Sequence, residues 1–150
     1  MHFGLIDAVL ERSPDHIVTV KNVSAAEEYL QDHFPGFPIL PGVLMLESLV
    51  QAARELIDPG SRRRPPLVLA RVRGLKFGRF VPPGSALRVR VERTAEHPDG
   101  SVEFKGEATV TDHTGTADAG GSIAASGRFT LRPASLHGRE LHPAAVQTAP

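Results

Sequence analysis

The chain has 150 residues, 17 basic against 17 acidic side chains, 41% hydrophobic residues and no cysteine. That length suits one domain able to bury a real core. The balanced charge gives no electrostatic footprint for nucleic acid or a membrane surface, and the missing thiols exclude disulfides, thiolate zinc sites and a cysteine nucleophile.

The first residues, MHFGLIDAVLERS, have neither a basic n-region nor a long apolar h-region. No apolar run approaches the roughly 20 residues that span a bilayer. A soluble, cytoplasmic protein without a signal peptide is expected. Residues 4–12 (GLIDAVLER) and 16–23 (HIVTVKNV) read as two short strands broken at Ser13-Pro14-Asp15. In the second, Ile17, Thr19 and Lys21 alternate with Val18, Val20 and Asn22. Residues 24–31 (SAAEEYLQ) predict one or two helical turns opening on a Ser24 cap, with Glu27 three positions later. A proline-rich loop follows, then a helix over 42–57 stopped by Asp58-Pro59-Gly60. Arg62-Arg63-Arg64-Pro65-Pro66 reads as an exposed loop.

From there the pattern has period two. Residues 67–80, 86–97, 102–114 and 122–133 are four strand candidates, with turns at Pro82-Pro83-Gly84, Pro98-Asp99-Gly100 and the glycines of 115–121. LRVRVER alternates apolar with charged residues, as an antiparallel strand with one wet face does. Residues 134–150 have no usable periodicity and are expected to be a disordered tail behind a domain of residues 1–133. A helix apolar almost all round must be enclosed. The economical arrangement wraps one antiparallel sheet around it, an α+β architecture of the hotdog kind, although other α+β packings fit the same pattern.

The stretch 32–51, DHFPGFPILPGVLMLESLVQ, carries the chemistry. Glu47, Gln51 and Arg54 fall at i, i+4 and i+7 and share a stripe on a helix otherwise built from Val43, Leu44, Leu46, Leu49, Val50, Ala53, Leu56 and Ile57. Burial would raise the pKa of Glu47 and leave a carboxyl able to donate a proton. The alternative is a stripe that simply faces solvent. His33, one of seven histidines, is by itself as much a surface residue as a base, and no pair has HxxxH spacing, so a metal site has little support. Pro35, Pro38 and Pro41 fix φ along the loop that holds it. Pro41 suits the helix entry, and Gly42 behind it leaves an N–H uncovered at the positive end of the dipole, where it can stabilise an oxyanion. A base, an oxyanion donor and an acid thus lie within fifteen residues, a set suited to proton abstraction beside a carbonyl.

HFPGFPILPGVLMLESLVQ resembles the signature of the FabZ-type 3-hydroxyacyl-acyl carrier protein dehydratases, HFPxxPxxPGVLxxEaxxQ, including the fourteen-residue offset from His33 to Glu47 and the later Gln51. The similarity extends to VKNVSAAEEYLQ before it and GLKFGRFVPPGSAL after it, and covers roughly residues 3–132. It implies a hotdog fold, a dimer with joined sheets, often a trimer of dimers, and no cofactor, the substrate arriving on the phosphopantetheine of acyl carrier protein. It also implies that His33 is the catalytic base, that Glu47 of the other subunit is its acidic partner, and that the Gly42 amide binds the thioester carbonyl. Gln51 would support the site, and Phe34, Pro41, Val43 and Phe77 would line the acyl tunnel or belong to the motif. Glu47, where relatives of FabA type carry Asp, favours dehydration without isomerisation. Arg62, Arg63, Arg64 and Arg79 are candidates for docking the acidic carrier. The chain departs from the family at MHFGLIDAVL, where most of the usual first segment is missing, and at Ser85, where Asp is more common. A specialised polyketide or polyene pathway is therefore as compatible as fatty acid synthesis. Competing readings are a hotdog thioesterase that activates water, an acyl-thioester binding module, and the non-catalytic partner of a heterodimeric dehydratase.

Overall fold

The computed structural model describes residues 3–60, 65–111, 121–136 and 139–140. Its elements are β1 (Ala8–Arg12), β2 (His16–Asn22), a 3-10 turn (Glu28–Leu30), α1 (Gly42–Ile57), β3 (Leu67–Phe77), β4 (Ala86–Glu96), β5 (Val102–Thr111), β6 (Ser122–Pro133), β7 (Ser135–Leu136) and β8 (Arg139–Glu140). Strands β1 to β6 form one antiparallel sheet in the order β1-β2-β4-β5-β6-β3. The helix packs on it, in the hotdog arrangement.

Period-two patterning produces this directly. In β4, Leu87, Val89 and Val91 are fully buried while Arg88, Arg90 and Glu92 are exposed. The same alternation turns Val102, Phe104 and Ala108 of β5 inward. Against that inner face α1 places Leu49, Val50, Ala52 and Ala53, none of which touches solvent. Phe104 and Phe129 stack at 5.3 Å between centroids and form a rigid floor. Burial of each Leu, Val or Phe among them is worth about 1.5–3 kcal/mol. Gly106 sets how closely helix and sheet approach, since a Cβ there would lie 2.9 Å from Leu49 Cδ2. In a strand interior, glycine is expected where another element comes this near.

Some expectations shift. The first strand begins at Ala8 rather than residue 4, because the Leu5 N–H donates to the side chain of Gln51 instead of to a strand. No capping box forms at Ser24. Its hydroxyl accepts from the Ala26 N–H at 3.2 Å, and Glu27 turns to the buried Lys21 ammonium at 2.7 Å, so only a 3-10 turn follows. β3 ends at Phe77 and β4 at Glu96, short of residues 80 and 97. Within the expected tail, Ser135–Leu136 pairs with Arg139–Glu140. Residues 112–114, Arg62, Arg63 and Arg64 lie outside the described residues. The helix is not enclosed all round: Val43 is 71% exposed, and Leu44, Leu46 and Glu47 are only half-buried. β3, at the sheet edge, likewise keeps Leu69, Ala70 and Arg71 exposed.

Gly106→Val should push the helix off the sheet and cost about 1–3 kcal/mol, the usual range for overpacking. Denaturant unfolding measures it. An unchanged midpoint would show that this contact does not set the helix–sheet spacing.

Candidate active site

His33 is held by its own backbone and by the turn after it. Phe34-Pro35-Gly36-Phe37 closes on itself through Phe34 N–H to Phe37 O at 3.0 Å and Phe37 N–H to Phe34 O at 2.9 Å. Proline at the second position and glycine at the third, with φ +76°, are what a type II turn requires. The Ile39 N–H then donates back to His33 O at 2.9 Å, and Leu40 N–H donates to Val81 O at 2.8 Å. The imidazole is fixed as well: Nδ1 lies 3.0 Å from Ile39 O, and Phe34 stacks on the ring with centroids 4.2 Å apart. A carbonyl oxygen only accepts, so Nδ1 carries the hydrogen and Nε2 keeps its lone pair. That is the tautomer of a base.

The loop feeds into α1 with Pro41 as its N-cap. Pro41 O accepts from the N–H groups of Leu44 (2.9 Å) and Met45 (3.1 Å). Those of Gly42 and Val43, at the start of the helix, have no intrahelical acceptor and sit at the positive end of its dipole. Gly42 is needed for contact as well as for its amide: a Cβ there would come 2.9 Å from the Phe77 ring. The structure thus brings Pro41, Gly42 and Phe77 together.

The stripe read from helical spacing is real. Gln51 Nε2 donates to Glu47 Oε1 at 3.1 Å, and an Arg54 terminal nitrogen lies 3.4 Å from the same oxygen. Glu47 is not sequestered within one chain, however. Its side chain is 36% exposed. No hydrogen bond joins His33 to Glu47 among the described residues.

Around this end of the molecule lie exposed apolar side chains: Phe34 (52%), Phe37 (54%), Phe77 (54%), Phe80 (62%) and Val43 (71%). Phe37 meets Phe80 edge-on at 5.8 Å. Apolar surface on this scale marks an interaction face. Phe37 and Phe80 were not singled out from the sequence, although the HFPGFP and GLKFGRF segments contain them. Arg79 is exposed beside Phe80, its N–H bonded to Ile123 O at 2.9 Å. Among the described residues no group of three or more His, Asp or Glu side chains is placed to hold a metal ion, and no helix is long and apolar enough to cross a membrane.

The fold and this site define a hotdog-fold protein with acid–base groups at its open end. A family model described as ApeI dehydratase matches residues 10–117. A 3-hydroxyacyl-[acyl-carrier-protein] dehydratase FabZ of Streptococcus pyogenes is 35% identical over 128 residues, 85% of each chain. The bifunctional LpxC/FabZ enzyme of Bacteroides thetaiotaomicron is 36% identical over 110 residues, 72% of this chain and 24% of that one. Two solved structures share the fold. The dehydratase heterocomplex ApeI:P of Xenorhabdus doucetiae has a TM-score of 0.67 at 18% identity, covering 88% of this chain and 84% of its own. The zebrafish thioesterase superfamily member 2 has 0.60 at 17%, covering 84% and 80%. The chain belongs to the ApeI-like dehydratase family, and it is an enzyme, a hydro-lyase of FabZ type.

The tautomer is directly measurable. Neutral His33 should show Nδ1 protonated and Nε2 unprotonated in long-range nitrogen–proton correlation spectra, because Ile39 O fixes the hydrogen. The opposite pattern would remove Nε2 as the base.

Proposed function

We propose that His33, Gly42 and Glu47 eliminate water from a (3R)-3-hydroxyacyl thioester carried on acyl carrier protein, giving the trans-2-enoyl thioester. The observation that carries this reading is the His33 Nδ1 to Ile39 O contact of 3.0 Å, which leaves Nε2 as a base on the loop leading to the helix N-terminus. The names of the curated relatives support the substrate class. His33 Nε2 takes the proton from C2, and the C–H electrons form the C2=C3 bond while negative charge builds on the thioester oxygen. The Gly42 amide and the helix dipole meet that charge. The C3–O bond breaks, and the leaving hydroxyl takes a proton from Glu47, directly or through a water. Proton return from the imidazolium to the carboxylate, through solvent, resets the site. The steps need only protein side chains, the substrate's own C2 proton and solvent, so the proposed reaction uses no cofactor; phosphopantetheine only delivers the substrate.

The pocket is shared in this reading. His33 of one subunit works with Glu47 of the other, in a dimer formed across the open helix face and the β3 edge and possible as a homodimer, a trimer of dimers or a heterodimer. The half-buried Glu47 and the exposed Val43 and Phe77 support it. Exposed Arg79 is proposed to help dock the acidic carrier; Arg62, Arg63 and Arg64, proposed for the same role, lie outside the described residues. The pathway is fatty acid or polyketide and polyene synthesis. A thioesterase, which shares the fold, would release free thiol and form no enoyl absorbance.

His33→Ala and Glu47→Gln should each lower turnover at least about 100-fold with the circular dichroism unchanged, as loss of an acid–base group does. Near-normal rates in either would remove the assigned role. Mixing His33→Ala with Glu47→Ala, with subunit exchange verified by mass spectrometry, should make about half the dimers mixed, each with one intact pocket, and restore about a quarter of wild-type activity. Verified exchange without recovery would defeat the shared pocket.

A further inference from the structure

The two donors on Glu47 both reach the same oxygen, and each is itself tied to main chain outside the helix. The Gln51 amide cannot be turned round: its Oε1 accepts from the Leu5 N–H at 2.8 Å, so its Nε2 faces Phe3 O at 2.9 Å and Glu47 Oε1 at 3.1 Å. Both amide hydrogens are thereby used. Arg54 donates from Nε to Leu67 O at 2.9 Å, at the first residue of β3, while its terminal nitrogen stands 3.4 Å from Glu47 Oε1. Leu5 is 1% exposed and Leu67 is 4% exposed, so both anchors are fixed in the core. Oε2 of Glu47 has no hydrogen-bond partner among the described residues.

We infer that Arg54 is a positioning residue which, with Gln51, clamps Glu47 Oε1 and thereby makes Oε2 the oxygen that exchanges a proton with substrate. The inference rests on the role proposed above for Glu47 and extends it. A carboxyl that gives up a proton has one oxygen as acceptor and the other carrying hydrogen. Two donors on Oε1 assign the hydrogen to Oε2 and hold the side chain in one rotamer. The Arg54–Glu47 contact is about one-third exposed on each side, a setting in which such contacts add little to stability. Its effect falls on geometry, where displacement of a reacting group by about 1 Å can cost up to about 100-fold in rate. The clamp also ties the acid to two elements outside the motif, the segment around Phe3–Leu5 and the start of β3.

The test is steady-state kinetics on a 3-hydroxyacyl thioester of carrier protein, with melting temperatures, for Arg54→Met, Arg54→Lys and Arg54→Ala, beside His33→Ala and Glu47→Gln. Arg54→Met should lower kcat about tenfold and leave KM within about twofold. Arg54→Lys keeps the charge but cannot reach Leu67 O and Glu47 together, so it should lose at least about threefold in kcat. Added guanidinium ion should raise the rate of Arg54→Ala where ammonium does not. Wild-type kcat in Arg54→Met and Arg54→Lys, with Glu47→Gln inactive, overturns the clamp and leaves the proposed reaction standing. A raised KM at unchanged kcat overturns it as well. Full activity in Glu47→Gln overturns both, because no carboxyl chemistry then remains to be positioned.

Discussion

The structure depends on the contact between one helix and one sheet. Leu49, Val50, Ala52 and Ala53 of α1 are removed from water against Leu87, Val89, Val91 and the stacked Phe104–Phe129 pair. Glycine at position 106 lets the two surfaces meet without a side chain between them. This burial is the main force holding the helix, whose sixteen residues would form only a marginal helix alone in water. Once it is docked, the positions of Pro41, Gly42 and Glu47 follow from helical geometry.

The same contact leaves a deficit. Sheet burial satisfies the core face of α1 and leaves Val43 and the face that carries Glu47 open. Among the described residues β3 has a hydrogen-bonded neighbour only in β6. The exposed phenylalanines 34, 37, 77 and 80 belong to this open end. An apolar surface beside a sheet edge marks an interaction face. The shared pocket proposed above would lie at this surface, which also carries the groups assigned to catalysis.

Backbone groups prepare those side chains. Ile39 O chooses the tautomer of His33, while Phe3 O, the Leu5 N–H and Leu67 O hold the two residues that hold Glu47. Ile39 O and Leu67 O are stiff anchors, since they move only with the loop and the strand that carry them. A reacting group tied to them is held in advance of substrate, and preorganisation of this kind makes acid–base and oxyanion groups effective.

Much was legible in the sequence. Alternation in LRVRVER gave the faces of β4, the stops around the helix gave residues 42–57 as they stand, and the spacing of Glu47, Gln51 and Arg54 put them in contact. These are local consequences of period two and period 3.6, so the chain itself carries them. What failed was also local in appearance. The Ser24 cap gave way because Glu27 found the buried Lys21, and residues 4–7 left the first strand because the Leu5 amide found Gln51, 46 positions away. Within one chain the sheet covers one face of α1 and leaves Val43 exposed. Sequence determined which residues form the helix, the strands and the reactive stretch, since propensity and periodicity are written over a few neighbouring positions. Only the tertiary structure decided which nitrogen of His33 is free, which oxygen of Glu47 is engaged and which apolar face stays open, because each depends on atoms that folding brings together from distant parts of the chain.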